Sequence, residues 1–112
     1  MNFYKKDIHN VRGDTYSFGL ISDEELDTIY FTCRDALNDD SNILFQKSLN
    51  NGITLTEQEE EYSYSIRVAP NDTKSLQSGI YYYDLQIELN EDVFTVMKGK
   101  FIVEQDSTWE VE

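Results

Sequence analysis

Any chemistry in this chain has to start from a short inventory of side chains. There is one histidine, His9, and one cysteine, Cys33. A covalent catalyst needs a nucleophile, a base within reach of it, and a third group that orients the base. His9 stands in a polar opening segment and Cys33 in an apolar alternating run, so the two are not expected to meet. The sequence has no Gly-x-Ser-x-Gly elbow, no phosphate-binding glycine loop and no His-Glu-x-x-His run. A lone cysteine builds neither an internal disulfide nor a four-cysteine zinc site. Carboxylates are plentiful, with 22 Asp and Glu against 9 Lys and Arg and a net charge of -13. The runs Asp23-Glu24-Glu25, Asp39-Asp40, Glu57 to Glu61 and Asn90-Glu91-Asp92 offer oxygen ligands, but none has the spacing of a calcium loop. The expectation is a protein that is not an enzyme and has no catalytic residue, cofactor or resident metal. The acid excess also opposes binding to nucleic acid phosphates or anionic membranes, which both require cationic counter-charge.

Four further features are singled out by residue type. Arg12-Gly13-Asp14 spells an adhesion tripeptide, but it stands where a turn enters a strand. It reads as structural: Gly13 takes a backbone conformation other residues resist, and the Asp14 carboxylate accepts turn N–H groups. On that reading Asp14→Ala costs stability. Within Tyr81-Tyr82-Tyr83, alternation turns Tyr82 away from its neighbours, making it a candidate contact residue. Trp109 is the only tryptophan, either a cap on the core or, the reading favoured here, an anchor for a partner. Gly79 and Tyr81 belong to a Leu76-x-x-Gly79-x-Tyr81-x-Tyr83 segment. It has the form of a tyrosine corner, in which a hydroxyl bonds back to upstream backbone, although half-buried strand tyrosines would look the same.

These residues must be held by strands, because period-two alternation dominates the chain. Tyr16, Phe18 and Leu20 alternate with Ser17, Gly19 and Ile21. Ile29, Phe31 and Cys33 share one face of 28–34, ahead of a turn-rich stretch from Asn38 to Asn42. Ile43 to Ser48 and Ile53 to Glu57 flank Asn50-Asn51-Gly52, which predicts a hairpin. Tyr62 to Val68 alternates until Pro70 stops the ladder. Asp72 to Leu76 suits a helical turn capped by Asn71 or Asp72 and ended by Gly79. Tyr81 to Leu89 is the longest alternating run. It pairs through Asn90-Glu91-Asp92 with a return strand from Val93 to Val103, where Gly99 suggests a bulge. No linker composition, repeat, secretory leader or apolar span of about 20 residues interrupts this. The prediction is one domain over 1–112, all-β, an immunoglobulin-like antiparallel β-sandwich of about seven to eight strands.

The order of several short motifs resembles a known family. Arg12-Gly13-Asp14-Thr15-Tyr16-Ser17-Phe18 is followed by Tyr30-Phe31-Thr32-Cys33-Arg34. Ala69-Pro70-Asn71-Asp72-Thr73 then leads to Leu76, Gly79 and Tyr81-Tyr82-Tyr83-Asp84, and Thr95 precedes Gly99-Lys100-Phe101. Together these resemble the immunoglobulin-like module of phage baseplate upper proteins over about 11–103. The resemblance implies a virion structural protein of a tailed phage or prophage, made in the bacterial host cytoplasm and placed in tail or baseplate. Its expected partners are other virion proteins and, in a symmetric particle, further copies of itself. Sandwich edge strands can pair with a neighbour, and the Asn2 to Arg12 segment suits such an exchanged strand. Family members continue into longer regions where this sequence ends at Glu112, so a head, neck or tail accessory position fits as well. The residues leave two other functions open: an acidic mimic of nucleic acid that inhibits a host DNA-binding protein, and a carbohydrate-binding adhesion module using the tyrosines.

Overall fold

The computed structural model describes residues 4–36 and 42–105. Among these residues, nine strands and one helical turn follow in chain order. They are β1 (Tyr4–Lys5), β2 (Ile8–Val11), β3 (Tyr16–Ser22), β4 (Thr28–Arg34), β5 (Ile43–Leu49), β6 (Gly52–Glu57), β7 (Tyr62–Val68), α1 (Pro70–Thr73), β8 (Gly79–Leu89) and β9 (Asp92–Glu104). Hydrogen bonding links the strands in the order β1-β9-β8-β4-β5-β6-β7-β3, with β2 also on β9.

The path folds into two layers where it is thinnest. Between β5 and β6 only Ser48 with Gly52 and Leu49 with Ile53 are matched, in parallel. Strands β1/β2, β9, β8, β4 and β5 form one layer, and β6, β7 and β3 the other. The apolar halves of the alternating strands meet between them. Phe31 of β4 is the hub, with its ring 5.5 Å from Phe18 of β3 across the layers, 5.4 Å from Tyr83 and 6.4 Å from Phe101. Ile29, Cys33, Ile53, Ile66 and Leu85 complete a fully buried centre.

Four local expectations need correction. The Asn50-Asn51-Gly52 turn does not close an antiparallel hairpin. It carries the chain from one layer to the other, and β6 pairs antiparallel with β7 instead. Asn50 (φ 68) and Gly52 (φ 95) take the left-handed conformations foreseen, but a side chain on Gly52 would meet Lys47, so the turn packs against the strand it leaves. The helical turn starts earlier than expected, at Pro70, whose missing N–H costs nothing at a helix start. Its N-cap is Ala69; the Asp72 carboxylate accepts the Ala69 N–H at 2.7 Å and pairs with Lys47 Nζ at 2.7 Å. The β8–β9 irregularity falls between Leu85 and Gln86, opposite 95–97, and not at Gly99. Gly99 is needed for space, because a methyl group there would overlap the Lys6 carbonyl oxygen. The segment from Asn2 to Arg12, expected to be free for exchange with a neighbour, is docked over its described part on the chain's own β9. Ile8 to Val11 pairs in parallel with Phe101 to Glu104, and the Ile8 side chain is buried in the core.

Candidate functional site

The two nucleophile or base candidates lie apart. Cys33 is buried on the inner face of β4, and burial pushes its thiol from 9.0 up to about 12. His9 is exposed on β2, with Nδ1 2.9 Å from the Glu104 carboxylate. Among the described residues no group of three or more His, Cys, Asp or Glu side chains is placed to hold a metal ion.

At the turn entering β3, Gly13 has φ 84 and its N–H donates to the Thr73 hydroxyl at 2.9 Å. The Asp14 backbone N–H donates to Val11 O at 2.9 Å, while the Asp14 side chain is exposed. This corrects the expectation that the Asp14 carboxylate accepts the turn N–H groups. Thr73, fully buried on α1, takes that part from 60 residues away in sequence, where no local pattern points to it. Gly79 opens β8 opposite Val103, and Tyr81 Oη donates to Gln77 O at 2.7 Å, the bond that defines a tyrosine corner. Gly13, Asp14 and the Gly79–Tyr81 corner therefore share one end of the sandwich. Trp109 lies outside the described residues.

Tyr82 is elsewhere, on the outer face of the layer that holds β8 and β9, and it lines a cleft of about 560 Å³. Parallel pairing of Lys5 with Lys98 and antiparallel pairing of Tyr82 with Lys100 build this cleft. Gly99 lets the chain between β1 and β2 settle against β9. The Tyr83 hydroxyl then donates to Lys6 O at 2.6 Å, Lys6 N–H to Lys98 O at 3.1 Å, and Lys100 N–H to the Asp7 carboxylate at 3.1 Å. The outcome is that Lys5, Lys6, Lys98 and Lys100, four of the nine cations, surround Tyr82, with Asp7 as the only carboxylate among the described lining residues and Asp84 opposite Lys98 in the β8–β9 register. Sequence reading missed this grouping. Lys5 and Lys98 are ninety-three positions apart, and parallel pairing of a short N-terminal strand leaves no turn signal between its partners.

The acids gather at the opposite pole. Ser22 faces Tyr62, and Thr28 faces Glu88, so the 23–27 link, the 57–61 turn and the 88–92 turn lie at one end. They hold four, four and three carboxylates and no Lys or Arg. The link is held in place: Leu26 N–H donates to the Tyr64 hydroxyl at 2.9 Å, and the Asp27 carboxylate accepts Asn90 N–H at 2.9 Å.

Two layers, a strand switch between β5 and β6, a parallel N-terminal strand and a tyrosine corner define an immunoglobulin-like β-sandwich. No protein-family model matches the chain, and no curated protein matches it. Among solved structures it is similar to a family 123 glycoside hydrolase from Clostridium perfringens, at TM-score 0.56 and 12% identity over 95% of this chain. It spans 24% of the hydrolase chain, so the likeness is one of fold alone. It also aligns with a structure from a study of multimeric cell-adhesive interactions of voltage-gated sodium channel β subunits, at TM-score 0.46 and 14% identity over 93% of both chains. A third match is the extracellular domain of the sodium channel β4 subunit, which forms parallel homodimers, at TM-score 0.43 and 14% identity over 95% of this chain and 96% of that one.

Proposed function

We propose that this immunoglobulin-like sandwich is a non-enzymatic assembly protein of a tailed-phage or prophage virion, associated with tail or baseplate, that acts by binding other virion proteins. The observation that carries the binding role is the outer edge of β3. Among the described residues, β3 pairs only with β7, leaving the backbone groups of its other edge available to an incoming strand. Beside that edge a slot of about 290 Å³ opens between the layers, lined by Phe18, Leu20, Val96 and Met97. A strand added to β3 would lay alternate apolar side chains into the slot, gaining specificity from it and affinity from main-chain bonds. The virion location comes from the ordered motifs around Gly13, Cys33, Pro70 and Tyr81. Mass spectrometry of purified particles is expected to find the protein at a fixed copy number relative to tail proteins; particles lacking it would remove the virion assignment. The concentration of carboxylates at one pole supports a second reading, an acidic decoy for a host DNA-binding protein. Capture from host lysate separates them, since a decoy recovers a basic nucleic-acid-binding protein and an assembly module recovers virion components.

A further inference from the structure

Among the described residues, charge is separated along the length of the sandwich. The segments 23–27, 57–61 and 88–92 hold no cation, while the cleft around Tyr82 sets Lys5, Lys6 and Lys100 against Asp7, and Lys98 faces Asp84 in the β8–β9 register. Along β9, Lys98 lies six residues beyond Asp92, which at the strand rise is about 20 Å. The screening length at physiological salt is about 8 Å, so the two surfaces do not neutralise each other within one molecule. The cleft is open, and its lysines Lys5, Lys6, Lys98 and Lys100 are all exposed. The 57–61 turn is exposed through Glu57, Glu59 and Glu60.

We propose that the cleft around Tyr82 is a docking surface for a second copy of this chain, which inserts the 57–61 turn of its acidic pole between Lys5, Lys6 and Lys100. Charge complementarity selects this occupant. A carboxylate-rich turn matches a cluster of ammonium groups, and Tyr82 supplies a flat contact surface with a polar tip at the centre. The same screening that isolates the poles within one molecule reduces the repulsion between two net-acidic copies to what lies at the contact. The two surfaces are different patches at different places, so the contact either repeats head to tail, as a chain or ring, or is made twice in a two-fold dimer in which each copy's turn enters the other's cleft. This rests on the reading of the chain as a protein-binding module, but not on its location in a virion.

The test is sedimentation velocity on the purified full chain over a concentration series, in about 50 and about 500 mM sodium chloride. The expected result is association that grows with concentration at the lower salt and is weakened at least about tenfold at the higher. Lys5→Glu/Lys100→Glu and Glu59→Lys/Glu60→Lys each change only exposed positions, with folding checked by circular dichroism. Each variant alone is expected to be monomeric, because one of the two surfaces is reversed. The first variant keeps the acidic pole and the second keeps the cleft, and the two reversed surfaces are again opposite in sign, so mixing them in low salt is expected to restore association. A wild-type protein that stays monomeric at millimolar concentration overturns the proposal, as do association that survives both variants, association that strengthens with salt, and a mixture that forms no complex. None of these outcomes bears on whether particles contain the protein, so the virion reading stands or falls separately.

Discussion

The Gly13 turn shows how a single side chain can be replaced in its expected part by one far away in sequence. A part-buried N–H without an acceptor costs stability, and the nearest carboxylate in sequence is Asp14. Thr73 makes the bond instead, from a site with no solvent exposure. Thr73→Val keeps the shape and removes the acceptor, so it is expected to lower stability by about 1 to 3 kcal/mol. Asp14→Ala is expected to change it by less than about 0.5 kcal/mol. Urea denaturation of both variants decides, and a larger loss in Asp14→Ala would contradict the assignment of Thr73. Cys33 gives a prediction in pH. With the folded thiol pushed up to about 12 and its ordinary value at 9.0, the unfolded state releases this proton first as pH rises. The Cys33 contribution is then flat below about 9 and destabilises the fold progressively above it. Native protein at neutral pH is expected to resist iodoacetamide and react once unfolded; labelling at equal rates in the two states would show that the thiol is not enclosed. That Cys33 faces inward was legible, because alternation places it with Ile29 and Phe31. The Thr73 bond was not legible, since nothing within 69–76 indicates what its hydroxyl faces.

At the scale of elements, alternation predicted where strands lie better than what they pair with. The runs around Tyr16, Phe31, Tyr64 and Leu85 became β3, β4, β7 and β8 because an apolar row every second residue has one stable use, facing another such row. Pairing depends also on which neighbour offers a matching edge. An Asn-Gly turn favours positive φ whether it closes a hairpin or switches layers, which is why β5 and β6 were read as partners. The glycine at 99 carries the same ambiguity, because a bulge and a close approach both select for a missing side chain. The structure assigns it to close approach, and the Tyr82 cleft depends on that. Gly99→Ala forces the new methyl against the backbone of Lys6, a contact no flexible side chain can relieve. The expected effect is loss of the Tyr83 hydroxyl bond to Lys6, release of the N-terminal strand from β9, and destabilisation of about 2 to 4 kcal/mol. Hydrogen exchange is the appropriate measurement: amide protection should fall first in 5–11, while β4 and β8 keep theirs. Unchanged protection at Lys6 would mean that the segment does not rest on Gly99.

For the molecule as a whole, the distribution of charge matters more than its total. A net charge of -13 spread evenly over 112 residues would give mild repulsion everywhere. Eleven carboxylates instead share the 23–27, 57–61 and 88–92 pole, at separations set by strand spacing. Folding brings these three segments together from distant parts of the chain, so their mutual repulsion is greater in the folded state than in the unfolded one. Among the described residues, no ion pair at that pole offsets it with a cation. The tethers that hold it are Leu26 to the Tyr64 hydroxyl and Asn90 to Asp27, together with the hydrophobic packing behind them. Screening should therefore stabilise the fold. At protein concentrations too low for association, raising sodium chloride from about 10 to about 150 mM shortens the screening length from about 30 to about 8 Å and is expected to raise Tm by several degrees. Glu59→Lys/Glu60→Lys places cations among the acids and is expected to raise Tm at low salt and flatten its dependence on salt. Lys5→Glu/Lys100→Glu adds charge at the other surface and should leave the pole's share of that dependence in place. A melting temperature indifferent to salt in the wild type would mean that the carboxylates stand far enough apart, in water, to ignore one another, and the pole would then have no surplus field with which to find a cationic cleft.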